Sequence, residues 1–316
     1  MNALVLTRKK TPVSYIEIDN PESSNEQVLV QIKAAALNQR DILIRHGKYA
    51  GLEFPFILGS DGVGIADGQT ALLNPSMYSG KRPHIASSKH QIVNGTLAEW
   101  IALPSTQIYS IPTHLTIQQA AALPTEGLTA YRALFSQGAC QASDKVLITN
   151  IEANNSLLAM QFAIACGAEV YVTARTDEAL EKAVLMGAKG GANNTVKLWS
   201  KDLFSQTNGF DLILDSIGGA GFIEIIRLTA MGCRIVTCGG LDGFLPKLNA
   251  NLLARKQIAL IGSSMGNAAE FSAMLAFVQE HQIVPVIDSV FDLCDGVQAF
   301  EHFENGNPFG KIVLNI

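Results

Sequence analysis

The residues from Val146 to Ser156, VLITNIEANNS, stand where an apolar strand gives way to a helix, and this turn decides what chemistry the chain can do. In an open α/β fold such a turn cradles the pyrophosphate of a dinucleotide. One glycine makes the bend, a second lets backbone approach the phosphates, and a third lets helix and strand pack closely. This stretch has no glycine; Asn150, Ala153, Asn154, Asn155 and Ser156 fill it. Asparagine is the residue after glycine that best tolerates positive φ, so Asn150, Asn154 or Asn155 can make the bend. Asn154, Asn155 and Ser156 can equally form an N-cap cluster that serves folding alone. Glu152 brings a negative charge that repels phosphate. Both readings, a dinucleotide site and a purely structural turn, stay open.

Other residues favour the site. An acid at the end of the next strand would bind the ribose 2′-hydroxyl of NAD, whereas a base would suit the 2′-phosphate of NADP. Thr173, Ala174, Arg175 and Thr176 hold no acid and one arginine, whose planar guanidinium matches phosphate, so NADPH is the expected cofactor; the other reading of Arg175 is a solvated arginine near a strand end. Gly218-Gly219 and the pair Gly239-Gly240 follow apolar strands, at the carboxyl ends where parallel sheets bind ligands.

The elements that must hold these residues form two kinds of pattern. Short strand-like runs bounded by turn residues fill the first hundred residues: Val13 to Ile18, Val28 to Ala36, Gly62 to Ala66, Ala71 to Pro75 and Ala98 to Leu103. Thr116 to Phe135 is helical in period, broken around Pro124. From Lys145 strand and helix alternate: Val146 to Thr149, Leu157 to Cys166, Glu169 to Thr173, Asp177 to Met186, Phe210 to Asp215, Gly221 to Met231, Cys233 to Cys238 and Gln257 to Ile261. Continuous apolar runs such as DLILD predict parallel strands covered on both faces. A helix over Ala268 to His281 and strands over Val286 to Phe291 and Lys311 to Ile316 close the chain and are expected to rejoin the first domain.

Composition limits the partners. With 316 residues and 48% apolar content the chain can build two cores, and its net charge of −5 gives no positive field for nucleic acid or anionic membrane. A small-molecule substrate is expected instead. No apolar run reaches the roughly 20 residues that span a bilayer, and the five scattered cysteines read as reduced thiols, so a cytoplasmic location is expected.

In this order, several stretches resemble the medium-chain dehydrogenase/reductase superfamily over nearly the whole chain. They are AALNQRDILIRHGKY, PFILGSDGVG, GTLAEWIALP, AAALPTEGLTAYRAL, VTARTDEALEKAVLMGAK, FDLILDSIGG and FGKIVLNI. The resemblance implies an α/β fold: a doubly wound parallel-sheet Rossmann domain over residues 119–263, and a β-rich, GroES-like barrel domain over 1–118 and 264–316. It puts zinc ligands at places held here by Asn38, by Ser60 and by Thr125 or Glu126. Amide and hydroxyl oxygens are poor ligands for Zn²⁺, and Asn74 to Asn94 lacks the cysteines of a structural zinc loop, so no metal is expected. A trio of His46, Asp61 and Glu126 is the weaker metal alternative.

Without zinc the resemblance moves to the quinone oxidoreductase-like branch, which reduces quinones, enones or related carbonyls by hydride from NADPH. It implies Asn38 as an amide donor to the acceptor and Tyr49 as the phenol near the cleft; both also have packing or turn-making readings. Thr129 and Lys311 match positions that face the cofactor in relatives. With Asn150, Asn154, Asn155, Ser156, Arg175, Gly239 and Gly240 they make up the expected cofactor site. A homodimer joined through the edge strand Gln257 to Ile261 is also implied. The alternative is a non-catalytic member of the fold that has lost its cofactor and binds a small molecule or serves structure.

Overall fold

Strand Gln27–Ala36 is the hub of the N-terminal architecture: ten residues, with Val30, Ile32 and the run Ala34 to Ala36 buried, paired antiparallel with Asp61–Ala66, Trp100–Pro104 and Lys311–Asn315. The computed structural model describes residues 1–24, 26–49, 52–76, 95–240, 243–245 and 247–316. They form two units, Met1–Glu126 with Asn267–Ile316, and Gly127–Gly266. Most of the Asn74 to Asn94 stretch read for a zinc loop lies outside the described residues.

In the first unit, seven strands among the described residues share one sheet. Its order runs Ile287–Asp292, Lys311–Asn315, Gln27–Ala36, Asp61–Ala66, Gln69–Leu73, Ile108–Tyr109, with Trp100–Pro104 on the hub strand. The C-terminal strands therefore do rejoin the N-terminal domain. They are parallel, and the helix Gly296–Asn305 makes the crossover that a parallel pair needs. Leu4, Leu6, Val30, Ile32, Ile101, Phe300, Ile312 and Leu314 pack into one apolar core beneath the sheet. A small sheet of Ser14–Glu17, Asn2–Leu6 and Phe56–Ile57 adds a second layer.

In the second unit six parallel strands lie in the order Gly190–Asn193, Glu169–Ala174, Lys145–Ile148, Phe210–Asp215, Thr229–Thr237, Ala259–Gly262. Winding reverses between Lys145–Ile148 and Phe210–Asp215, so ligands are expected beyond the carboxyl ends of those two strands. Their apolar side chains are buried, with Leu147, Phe210, Ile213, Ile235 and Phe222 in one cluster. The helix expected over Gly221 to Met231 is shorter than predicted: Phe222–Arg227 is helical and Thr229 already belongs to the next strand. Thr229 pairs with Phe210 and Arg234 with Leu212, so residues 230–233 bulge out, with Gly232 at φ 76° making the bend.

None of the five cysteines is in a disulfide, and burial foremost pushes the Cys140 and Cys233 thiols up to about 12. Among the described residues no helix is long and apolar enough to cross a membrane.

Candidate active site

Asn38 lies two residues beyond the hub strand and opens the helix Gln39–Arg45, and its neighbours in space come from distant parts of the first unit. Its backbone N–H donates to Asp41 Oδ2 at 2.9 Å, while Asp41 Oδ1 accepts from Gly59 N at 2.9 Å. One carboxylate thus fixes both segments that carry the site. Gly59 sits at φ 98°, and a Cβ there would come within 2.6 Å of Thr96 Oγ1, so only glycine lets Ser60 and Asp61 follow in this orientation. Burial foremost holds the Asp41 carboxyl above the usual range, opposed by the N–H donors of Asn38 and Gly59.

The side chains close a ring. Lys311 Nζ donates to Asn38 Oδ1 at 2.6 Å and to Asp61 Oδ2 at 3.1 Å. Asn38 Nδ2 donates to Ser60 Oγ at 3.1 Å, and Ser60 Oγ lies 3.1 Å from Thr125 Oγ1. Thr125 Oγ1 donates to Asp61 Oδ1 at 2.5 Å, and Thr125 N donates to the same oxygen at 2.9 Å. The sense of each bond follows from the chemistry. An ammonium only donates, which fixes the Asn38 amide; a carboxylate only accepts, which takes the Thr125 hydrogen; Ser60 must therefore donate to Thr125. Asp61 also caps the helix Pro124–Tyr131, whose first residue is a proline and whose exposed N–H end favours a negative charge. Asn38, Asp61 and Lys311 are buried at 1%, 0% and 1% exposure, while Ser60 is half-buried.

This donor set does not fit zinc. At the three places where the resemblance puts ligands stand an amide, a hydroxyl, and either a hydroxyl or Glu126, and the amide oxygen already holds an ammonium. A positive charge at hydrogen-bond distance from a would-be ligand opposes a cation directly. His46, of the alternative trio, is instead paired with Glu304 at 2.8 Å and so does not join Asp61. The Glu126 carboxyl is raised by burial foremost, lowered by Lys311, and raised again by Asp61 and Asp41.

The expected site residues of this unit fall as follows. Asn38 is central, but both its amide hydrogens are engaged, with Ser60 and, at 3.4 Å, with the Ala36 carbonyl. Tyr49 is exposed, and the Arg40 guanidinium lies 5.2 Å from its ring centroid. Lys311 is a member of the ring. Asp41, Ser60, Asp61 and Thr125 are not among the expected catalytic residues; the signal for Ser60 and Thr125 is that each ligand place carries a hydrogen-bonding residue rather than an apolar one.

In the second unit the glycine-free turn solves each lost function separately. Asn150 adopts φ 53°, the left-handed conformation expected of an asparagine here, and its N–H donates to Thr173 Oγ1 at 3.0 Å. Ser156 is fully buried, and its hydroxyl donates to the Thr149 carbonyl at 2.8 Å, so the added atom is absorbed by the strand end. The N-cap cluster is not formed as expected. Ala153 is the N-cap without a side-chain cap, Asn154 and Asn155 are already helical, and Asn155 Oδ1 accepts from Ser156 N at 3.0 Å. The backbone N–H groups of Asn154 and Asn155 have no hydrogen bond among the described residues, so the start of the helix Asn154–Ala165 keeps donors for an anion.

Across the switch point, Thr149 Oγ1 donates to Asp215 Oδ1 at 3.1 Å and Ser216 N donates to Thr149 Oγ1 at 3.2 Å. Gly239 packs on that strand end, since a Cβ there would lie 2.3 Å from the Ser216 carbonyl oxygen, whereas a Cβ on Gly240 would meet nothing within 4 Å. Thr129 lies half-buried on its helix. Arg175 is exposed at the end of its strand, and its backbone N–H donates to Glu152 Oε1 at 2.6 Å. These features fit a dinucleotide: a positive-φ bend, open helix N–H groups and glycine beside the strand ends.

The family model "Alcohol dehydrogenase GroES-like domain" matches residues 24–113, and "Zinc-binding dehydrogenase" matches residues 156–280. A zinc-type alcohol dehydrogenase-like protein of Leptosphaeria maculans is 29% identical, over 96% of this chain and 95% of its own. The crystal structure of an NAD-dependent alcohol dehydrogenase is 29% identical with a TM-score of 0.93, over 100% of both chains. The quinone oxidoreductase of Thermus thermophilus, solved also with NADPH, is 28% identical with a TM-score of 0.84, again over 100% of both chains.

Proposed function

We propose that this chain, which belongs to the medium-chain dehydrogenase/reductase superfamily on its quinone oxidoreductase-like branch, is a metal-independent oxidoreductase that reduces a quinone, enone or related carbonyl with a reduced nicotinamide dinucleotide. The observation that carries the metal-free part is the buried Lys311 ammonium held between Asn38 and Asp61. When bound, the nicotinamide supplies the hydride. The chain's own residues supply position and polarity. Ser60 is the half-buried member of the ring, and its hydrogen can turn from Thr125 toward an acceptor oxygen while Thr125 keeps its bond to Asp61. Asn38 then acts through Ser60, fixing the oxygen by donating to it. Tyr49 offers a second donor, a phenol, from an exposed position.

The anion cradle of the second unit is the uncapped start of the helix Asn154–Ala165, with Asn150 making the bend. Arg175 supports NADPH as the donor, whereas Glu152, which accepts its backbone N–H, opposes a phosphate. The alternative of a non-catalytic binding or structural protein has the missing glycines in its favour, but the alcohol dehydrogenase and quinone oxidoreductase relatives do not favour it. One experiment tests the reading: titration of purified protein with NADH and with NADPH, followed by nucleotide fluorescence and thermal shift. Stabilisation by at least one is expected, and none at millimolar concentration of either refutes it. One tightly held zinc per chain on metal analysis refutes the metal-free part.

A further inference from the structure

We propose that Glu152 supplies, from the turn after the first strand, the carboxylate that reads the cofactor's ribose, so that the chain selects NADH, with its free 2′-hydroxyl, over NADPH. This rests on the dinucleotide reading above. In doubly wound sheets the ribose-reading acid stands at the end of the second strand, where this chain has Ala174 and Arg175. The structure brings a carboxylate to that same strand end by another route: Glu152 Oε1 accepts the Arg175 backbone N–H at 2.6 Å.

The turn that carries Glu152 is pinned to this strand. Asn150 N donates to Thr173 Oγ1 at 3.0 Å, Ile151 N donates to the Thr173 carbonyl at 2.9 Å, and the Ile151 side chain is fully buried. Glu152 is therefore built onto the strand end rather than resting there.

Its second oxygen shows what it would bind. Glu152 Oε2 is buried and has no hydrogen-bond partner among the described residues. An orphaned carboxylate oxygen is an acceptor in need of a donor. A ribose hydroxyl has a hydrogen to give. A 2′-phosphate, carrying about −1.5 to −2 charges at neutral pH, brings acceptor oxygens and repulsion instead. Arg175 pulls the other way, but its side chain is exposed and makes no hydrogen bond among the described residues, so its attraction is exercised in high-dielectric, salt-screened water. The anchored carboxylate outweighs it, because a phosphate brought to this strand end meets the Glu152 charge held on the Arg175 N–H.

The test is a pair of dissociation constants, for NADH and NADPH, measured by nucleotide fluorescence on the full chain and on Glu152→Gln and Arg175→Ala. Gln keeps an oxygen for the Arg175 N–H, and an unchanged melting temperature checks the fold. Wild type is expected to bind NADH at least about tenfold more tightly than NADPH, and Glu152→Gln to narrow that ratio by about tenfold or more. Arg175→Ala is expected to widen that ratio, since only NADPH brings a phosphate for the guanidinium. Equal or tighter NADPH binding by wild type, a ratio unmoved by Glu152→Gln, or a ratio narrowed by Arg175→Ala overturns the assignment while leaving the dinucleotide reading intact. Absence of binding of either nucleotide at millimolar concentration sinks both.

Discussion

Replacing Lys311 with methionine removes a buried ammonium but keeps most of its stem volume, so the cost isolates the charge. Lys311 Nζ is 2.6 Å from Asn38 Oδ1 and 3.1 Å from Asp61 Oδ2, with the two charged side chains at 2% and 0% exposure. In the variant Asp61 keeps its two bonds from Thr125, but its charge stays buried without a counter-ion, and Asn38 Oδ1 loses its donor. Breaking a buried pair on one side costs about 3–5 kcal/mol, a range that already includes much of the unsatisfied-acceptor cost. A loss of about 4 kcal/mol is expected for the first unit. Calorimetry suits the measurement, because a chain of two units need not unfold in one step. The decisive arm is the double variant Lys311→Met with Asp61→Asn. Removing both charges should recover at least about half of the single loss, since the penalty lies in the uncompensated ion. A single variant within about 1 kcal/mol of wild type, or a double variant whose cost equals the sum of the singles, refutes the ring as an ion-centred network.

Two further outcomes follow from the same geometry. Glu126, raised by burial foremost, favours the fold most when protonated: its contribution is present below the ordinary carboxyl range and is lost as pH rises through its higher folded-state value. Glu126→Gln should therefore melt about 2 °C or more above wild type at pH 8, with the gap closing toward pH 4; a gap that widens on acidification contradicts this. Ser156→Gly restores a motif glycine yet should cost about 1–2 kcal/mol in chemical denaturation, through the lost bond to Thr149 and glycine's poor helix propensity. A variant as stable as wild type would show that the serine fills no structural need.

The parallel sheet is legible in the sequence because buried strands are written as unbroken apolar runs. Phe210–Asp215 matches its expected range, and Asn154–Ala165 and Asp177–Leu185 are close to theirs. Elements held by pairing rather than by composition are not legible. Gly190–Asn193, GGAN, has no strand-forming side chains and exists because its backbone bonds to Glu169–Ala174 at the sheet edge. Asn2–Leu6 is short and followed by charge, yet it lies between two other strands with four of its five residues buried. The bend at Asn150 is readable from what asparagine tolerates. The ring is not, because Lys311 lies 250 residues from Asp61, and no spacing rule links an FGK segment to a GSD one. The sequence likewise shows Glu152 as a charge near the turn but not as a reach to Arg175, 23 residues on.

The ring also acts as a ratchet on what the site can become. Its five side chains come from four separated segments and bond to one another in a closed set. Putting a thiolate at 38 and an imidazole at 60 would not restore a metal centre: the new ligands would stand beside an ammonium, with Asp61 still paired to it and Thr125 left to find a new donor. Building a metal centre there would first require discarding Lys311, which strands Asp61 at a cost of about 3–5 kcal/mol before a metal can compensate. Loss of either charged partner alone crosses a valley in stability, so the arrangement is held in place by its own charge network.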